Sequence, residues 1–232
     1  MAWISARAAD TTPGLQNRLA PGTAVILVSV HAFDVTPTQV PVLNPTDHAF
    51  DMTTTTKLSS TVTVARYREL ESADDRAALS EFIIQRFDER YFAPIESAPR
   101  TSKSGFASLA VACMVVETLE AFHQGLGDTK RLSGKMFSDF FARETPFRAF
   151  GKNGRWFYDD VRCGILHQGE VRGGWRVWRS GPLLDEQAKT INATRFIHHL
   201  QGAVRRYGRA IVSDDRCWQL FKKKMGVVCA NC

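Results

Sequence analysis

GFASLAVACMVVETLEAFHQG, residues 105–125, is the stretch on which the fold turns. Phe106, Leu109, Ala110, Cys113, Met114, Val116 and Leu119 recur at helical spacing, and Ala107, Val111, Ala112 and Val115 fill the faces between them. A surface helix carries one apolar stripe, whereas a helix that is apolar nearly all round is buried on every side. The stretch therefore predicts the central, most buried helix of a bundle, bounded by Gly105 and Gly125.

Working outward, Ser72 and Asp75 form a capping-box-like S-x-x-D ahead of Leu79, Phe82, Ile83 and Phe87. They predict a first helix over about residues 73–91, ended by Pro94. Beyond the central helix, Met136, Phe137, Phe140 and Phe141 predict a shorter third helix, which Pro146 and the 151–154 stretch break into a loop. Trp156 to Gln168 reads as a fourth helix with Phe157, Val161 and Ile165 inward, and Gly169 supplies a left-handed closure. Gly173 and Gly174 signal a turn, and Trp175, Val177 and Trp178 a short strand or hairpin arm. Phe196, Leu200, Val204, Tyr207 and Ile211 give the clearest helical period, and Trp218, Phe221 and Met225 mark a last short helix. The predicted class is all-α, a helical bundle with a small hairpin or loop insertion after the fourth helix and a poorly structured N-terminal extension.

That extension is set by composition. Residues 1–62 hold seven charged side chains but five of the nine prolines, and Thr53 to Thr56 add little apolar surface, so only a short strand at Val25 to Val30 is expected there. Residues 63–232 carry the globular composition and form the second unit. Met52 stands just before the change, which raises the hypothesis that the native chain starts near it; amino-terminal sequencing that finds residues 1–51 rejects it. Apolar residues at 44% and charged residues at 23% are ordinary for a soluble domain, and no uninterrupted apolar run approaches the roughly 20 residues that cross a bilayer. No membrane partner is expected. Thr23 to Phe33 is interrupted by Ser29 and His31 and lacks a cleavage site, so no secretory leader is read there. Five cysteines, an odd number, suit a reducing cytoplasm. Cys229 and Cys232 form one C-x-x-C, which lacks a second pair for zinc and reads as an unligated tail. No metal or cofactor is expected. Thirty Lys and Arg against 24 Asp and Glu give +6, an excess that favours a polyanionic partner.

The chemistry-bearing residues are Arg162 and His167 in Asp159-Asp160-Val161-Arg162-Cys163-Gly164-Ile165-Leu166-His167-Gln168-Gly169. A guanidinium presents a planar donor fork to phosphate oxygens, and histidine trades protons near neutrality. Five positions along a helix rotate the second side chain by about 140° and advance it roughly 7.5 Å, so the two do not share one face. Two motif helices meeting across a symmetry axis would bring Arg162 of one chain to His167 of the other. The plainer reading pairs Arg162 with Asp159 and gives His167 a helix-end carbonyl. Arg172, Arg176 and Arg179 flank Trp175 and Trp178, a basic and aromatic mixture suited to gripping a single strand. His123, beside Gly125, reads as a dipole partner at a helix C-terminus.

The stretch Trp156 to Glu170, with Gly174-Trp175 behind it, resembles the HEPN superfamily, small helical bundles whose signature is Arg-x4-6-His near the start of a late helix. The resemblance covers about residues 66–228. It implies a metal-independent endoribonuclease, active as a homodimer on RNA, that leaves 2′,3′-cyclic phosphate ends in defence or stress response, with an antitoxin or regulatory partner possible. On that resemblance Arg162 and His167 would be catalytic, Asp159, Asp160 and Cys163 supporting, and Arg172, Arg176 and Arg179 RNA-binding. One departure is Cys163, a weak hydrogen-bond partner where many active relatives carry a polar residue. The alternatives are a catalytically inactive module that binds RNA or a nucleotide or mediates assembly, and a helical interaction protein with no nucleic-acid role.

Overall fold

Thr63 opens the first helix by accepting a hydrogen bond from the Arg66 N–H on its side-chain oxygen, and the turns that follow bury Val64, Tyr67 and Leu70 at intervals of three. The computed structural model describes residues 55–97, 102–153 and 155–232. Its helices are α1 (Val64–Ser72), α2 (Arg76–Phe87), α3 (Ala93–Glu96), α4 (Gly105–Gln124), α5 (Ser133–Arg143), α6 (Cys163–Gln168), α7 (Ala193–Ser213) and α8 (Asp215–Ala230). Wider π-turns, Asp88–Phe92 and Phe157–Arg162, lead into α3 and α6, and a 3-10 run covers Thr145–Asn153. The chain is mostly helical with one small sheet.

The helix predicted from the opening stretch is the core. α4 buries Leu109, Ala112, Cys113, Val115, Val116, Leu119 and Phe122, and α7 lies along it with Phe196, Leu200, Val204, Tyr207 and Ile211 buried as their spacing required. By length and composition α4 is also long and apolar enough to cross a bilayer; here neighbouring helices cover much of it, but Met114 is exposed, so it is not buried on every side as expected. Gly125 ends it in the left-handed conformation, φ 61°, and the absence of a side chain lets Leu220 of α8 come within 2.9 Å of where a Cβ would sit. A second cluster is aromatic. Phe141 of α5 lies between Phe137, Phe150, Phe157 and Phe196, ring centroids 5.1–6.4 Å away.

Several expectations change. Ser72 does not cap: it ends α1, a helix the reading from 73 onward omitted, and Asp75 caps α2 by accepting from the Ala78 N–H. Pro94 does not end the helix path either. Proline lacks an N–H and its ring crowds the carbonyl four residues back, and the π-turn ahead of it lets the chain proceed into α3. The loop expected after Pro146 is the 3-10 run, whose three-residue turn aligns Phe147 with Phe150, both fully buried. The last helix is long, and Cys229 is buried within it, so the C-x-x-C is not a loose tail.

The all-α class is corrected by a three-stranded sheet ordered β1-β3-β2. β1 (Arg176–Trp178) runs parallel to β3 (Thr190–Asn192), Val177 opposite Ile191, and β2 (Leu184–Asp185) pairs antiparallel on the far side of β3. The strand expected around Val177 is β1, and β2 with β3 forms a short hairpin to which β1 adds in parallel. Just ahead of residue 63, Leu58 and Val62 are buried in the bundle, and the Leu58 carbonyl accepts from Arg86 and Arg90. The Val25 to Val30 strand and the Met52 start lie outside the described residues.

His123 departs from its expected role as a cationic dipole partner. Its ring packs edge-on against Tyr207, centroids 4.5 Å apart, and its Nε2 is buried without a hydrogen-bond partner. Burial, and then the nearby Arg143, push its pKa from the ordinary 6.5 down to about 3. The folded chain keeps His123 neutral where the unfolded chain binds a proton, so its contribution is present above 6.5 and is lost as pH falls toward 3. Wild type should therefore lose more stability than His123→Phe between about pH 7 and about pH 5, read by urea denaturation. Glycine packing gives a second test. A Cβ on Gly208 would lie 2.6 Å from Ile84 Cδ1 and 3.0 Å from Ser80 Oγ, whereas one on Gly226 meets nothing within 4 Å. Gly208→Val should lower stability by about 1–3 kcal/mol, and Gly226→Ala should raise it by up to about 1 kcal/mol, in the same denaturation experiment.

Candidate functional site

Phe157 and Val161 anchor the motif segment by full burial, one against the aromatic cluster and the other in the core. The π-turn Phe157–Arg162 then hands over to α6, which Gly169 closes in the left-handed conformation, φ 68°, as expected. The chain returns along its own helix: the Arg172 N–H donates to the Asp160 carbonyl at 2.8 Å, and the Glu170 carbonyl would lie 2.5 Å from a Cβ on Gly164. Only glycine at 164 leaves room for that return. The segment flanks α4 and α5 rather than forming the centre of the bundle, and Leu166, His167 and Gln168 are exposed.

Arg162 reaches back to α4. Its Nε donates to Glu117 Oε1 at 2.8 Å, with the two side chains 19% and 14% exposed, and its guanidinium stands 5.5 Å from the Tyr158 ring centre. Burial works against the charge, but the hydrogen bond and charge of Glu117 outweigh it and hold the pKa above the ordinary arginine value. Arg162 lines a cavity of about 720 Å³ together with Glu117, Asp128 and Lys224. Lys224 donates to the Gly127 carbonyl at 3.0 Å, and burial pulls its pKa down, with Asp128 opposing. The rim is apolar: Met114 (45% exposed), Leu166 (47%) and Val227 (37%) all border this cavity.

The other predicted residues go elsewhere. His167 is exposed, does not line the Arg162 cavity, and has no hydrogen-bond partner among the described residues. Arg162 does not pair with Asp159; Asp159 accepts from Arg155 Nε at 2.8 Å, and Arg155 shares the Tyr158 ring with Arg162. Asp160 faces the return loop, its Oδ2 2.8 Å from where a Cβ on Gly173 would sit. Cys163 is half-buried beside Tyr158, whose pKa is raised by burial and then by that thiol.

The three arginines after the motif do not form one surface. Arg172 Nε donates to Gln168 Oε1 at 3.1 Å, and Arg176 Nη2 to the Ala188 carbonyl at 2.9 Å. Arg179 Nη1 donates to the Ser102 carbonyl at 2.8 Å. Alternation along a strand sets this dispersal, because Arg176 and Trp178 share one face while Val177 and Arg179 take the other. The described cavities that residues 172–179 line do not include His167.

Glu117 is the residue sequence reasoning missed. It and Glu120 are the acidic side chains within a mostly apolar 20-residue helix, and an acid in such a place needs a partner from another element. That signal was readable. Among the described residues no cluster of three His, Cys, Asp or Glu side chains could hold a metal ion. No protein-family model, curated protein or solved structure matches this chain. The arrangement itself offers an oriented cation for an oxyanion in a large cavity, and a separate exposed imidazole about a turn and a half further along the same helix. The Arg162–Glu117 pair should be energetically coupled by about 1–3 kcal/mol in a double-mutant cycle of Arg162→Ala and Glu117→Gln, measured by urea denaturation.

Proposed function

We propose that the chain is a metal-independent endoribonuclease of the HEPN type, whose active site is completed when two motif helices meet across a two-fold axis. The observation that carries the reading is the placement of Arg162 in the largest of the described cavities, with His167 exposed on the same helix but turned away from it. Within one chain the two groups do not converge. Two copies related by a two-fold axis would supply Arg162 from one and His167 from the other, and the exposed Met114, Leu166 and Val227 around the cavity offer apolar surface for a second copy. The π-turn at Phe157–Arg162 is a further support, since such turns recur at functional sites.

In this reading His167 takes the proton from a ribose 2′-OH, the freed oxygen attacks the adjacent phosphorus, the bond from phosphorus to the 5′-oxygen of the next nucleotide breaks, and that oxygen takes the proton back from His167, directly or through water. The products are a 2′,3′-cyclic phosphate and a 5′-hydroxyl. Arg162 steadies the charge that builds on the non-bridging oxygens during the displacement. The hold of Glu117 on Arg162 favours the second reading, a module that binds RNA or a nucleotide without cutting it, because a carboxylate already occupies part of the donor fork.

Incubating the purified protein with mixed RNA in EDTA and analysing the new ends tests the proposal. Cyclic phosphate ends that disappear in both Arg162→Ala and His167→Ala are expected; uncut RNA with the wild type assigns the binding module instead. Mixing the two inactive variants tests the shared site. A mixed dimer then holds one site lacking both groups and one intact site, so activity should return to a fraction of wild type. Absence of activity in mixed dimers shown to form would place both groups of each site on one chain.

A further inference from the structure

A second concave site lies at the opposite kind of place, where two long helices begin. Ser104 precedes α4 and Asn192 precedes α7, and a cavity of about 310 Å³ near the two starts is lined by Glu96, Ser104, Ser108, Arg179, Thr194 and His198. The first-turn N–H groups of a helix have no partner within the helix and carry the positive end of its dipole. At α7 the Asn192 side chain caps by accepting from the Arg195 N–H at 3.1 Å. At α4 the Ser104 side chain makes no cap hydrogen bond, and the first turn holds no acidic residue.

Ser108 provides an independent sign of a ligand. It is 5% exposed, borders the cavity, and its hydroxyl makes no hydrogen bond with any described residue. The hydroxyl is not sealed in the core but opens into the cavity, with no described residue pairing it. Arg179 brings a fixed positive charge to the same wall: its Nη1 donates to the Ser102 carbonyl at 2.8 Å, its Nε lies 3.5 Å from Thr194 Oγ1, and its Cγ lies 3.7 Å from where a Cβ on Gly105 would sit. The guanidinium stem is thereby laid against the first turn of α4. Glu96 is the one acid among the described lining residues, and Gln201 Nε2 donates to its Oε1 at 2.8 Å.

We propose that this cavity binds a phosphate monoester, with the first-turn amides of α4, the Ser108 hydroxyl and Arg179 as its ligands. A monoester dianion accepts several hydrogen bonds at once, which suits converging N–H and O–H donors beside a guanidinium. Its chemical sources are a free mononucleotide and the 5′ end of an RNA strand. The site is separate from Arg162 and does not depend on cleavage.

Calorimetric titration at constant ionic strength tests it with four probes: inorganic phosphate, adenosine 5′-monophosphate, and one tetranucleotide with a 5′-phosphate or a 5′-hydroxyl. Saturable binding is expected for the three phosphate monoester or phosphate probes, with the 5′-phosphorylated strand at least about tenfold tighter than its 5′-hydroxyl counterpart. Equal affinity for the mononucleotide and the phosphorylated strand assigns a free nucleotide; a tighter strand assigns an RNA end. Ser108→Ala and Arg179→Gln should each weaken binding by about tenfold or more. Ser104→Asp, which places a carboxylate at the helix start and should raise thermal stability, should abolish it. Arg162→Ala should bind as wild type does, which separates this site from the nuclease reading. Absence of saturable binding, or binding indifferent to Ser104→Asp and Ser108→Ala, overturns the proposal.

Discussion

Two carboxylates on an apolar helix dictate how the rest of the bundle docks. Glu120 is 1% exposed, and taking its charge out of water is tolerable only because Arg143 of α5 meets it with two nitrogens. Glu117, one turn earlier, is met by Arg162 from the motif segment. Apolar packing alone would let α5 and the motif segment slide along α4, since hydrophobic attraction has no direction. The two ion pairs do have direction, and each is set at one height on α4. A further buried acid, Glu144, continues the chain of charges to Arg206 on α7. The elements that carry Arg143 and Arg162 are thereby fixed in register on α4, and α7 is tied to the end of α5.

Between the pinned elements the space is filled largely by phenylalanine. Phe137 and Phe141 come from α5, Phe147 and Phe150 from the 3-10 run, Phe157 from the π-turn and Phe196 from α7. Phe157 and Phe196 lie nearly parallel, 5.5 Å apart, while most neighbouring pairs are tilted or edge-on. The mixture of unusual helical turns has a physical basis here. A 3-10 run aligns residues three apart, and a π-turn advances the chain around its axis more slowly than an α-turn does, so both re-aim aromatic rings that an uninterrupted α-helix would point elsewhere.

The long helices were legible because period and burial agree: Phe196 to Ile211, and Leu109 to Phe122, read as they fold. What was not legible has three causes. Helix α1 is short and polar outside Val64, Tyr67 and Leu70, so its stripe is thin. Pro94 and Pro146 were taken as breaks, but tertiary packing bends the chain through non-α turns instead of ending it. The sheet depends on β1 pairing directly with β3, while β2, which lies between them in sequence, takes the far side, and strands of two or three residues do not announce this. At the site, the motif fixed which helix to inspect, and its five-residue offset correctly separated Arg162 from His167. The companions were misassigned because local spacing favours Asp159, whereas the actual partner, Glu117, is 45 residues away.

The double hold on Arg162 also changes what a ligand would encounter. A free arginine side chain samples many rotamers, and stilling it costs about 2 kcal/mol. Glu117 at Nε and the Tyr158 ring below the plane still it during folding. An incoming anion therefore meets a guanidinium whose disorder has already been removed, at the cost of sharing its charge with a resident carboxylate. Tightness and selectivity part company in such an arrangement: shared charge weakens attraction for every anion alike, while a fixed fork penalises those whose oxygens do not match its angle.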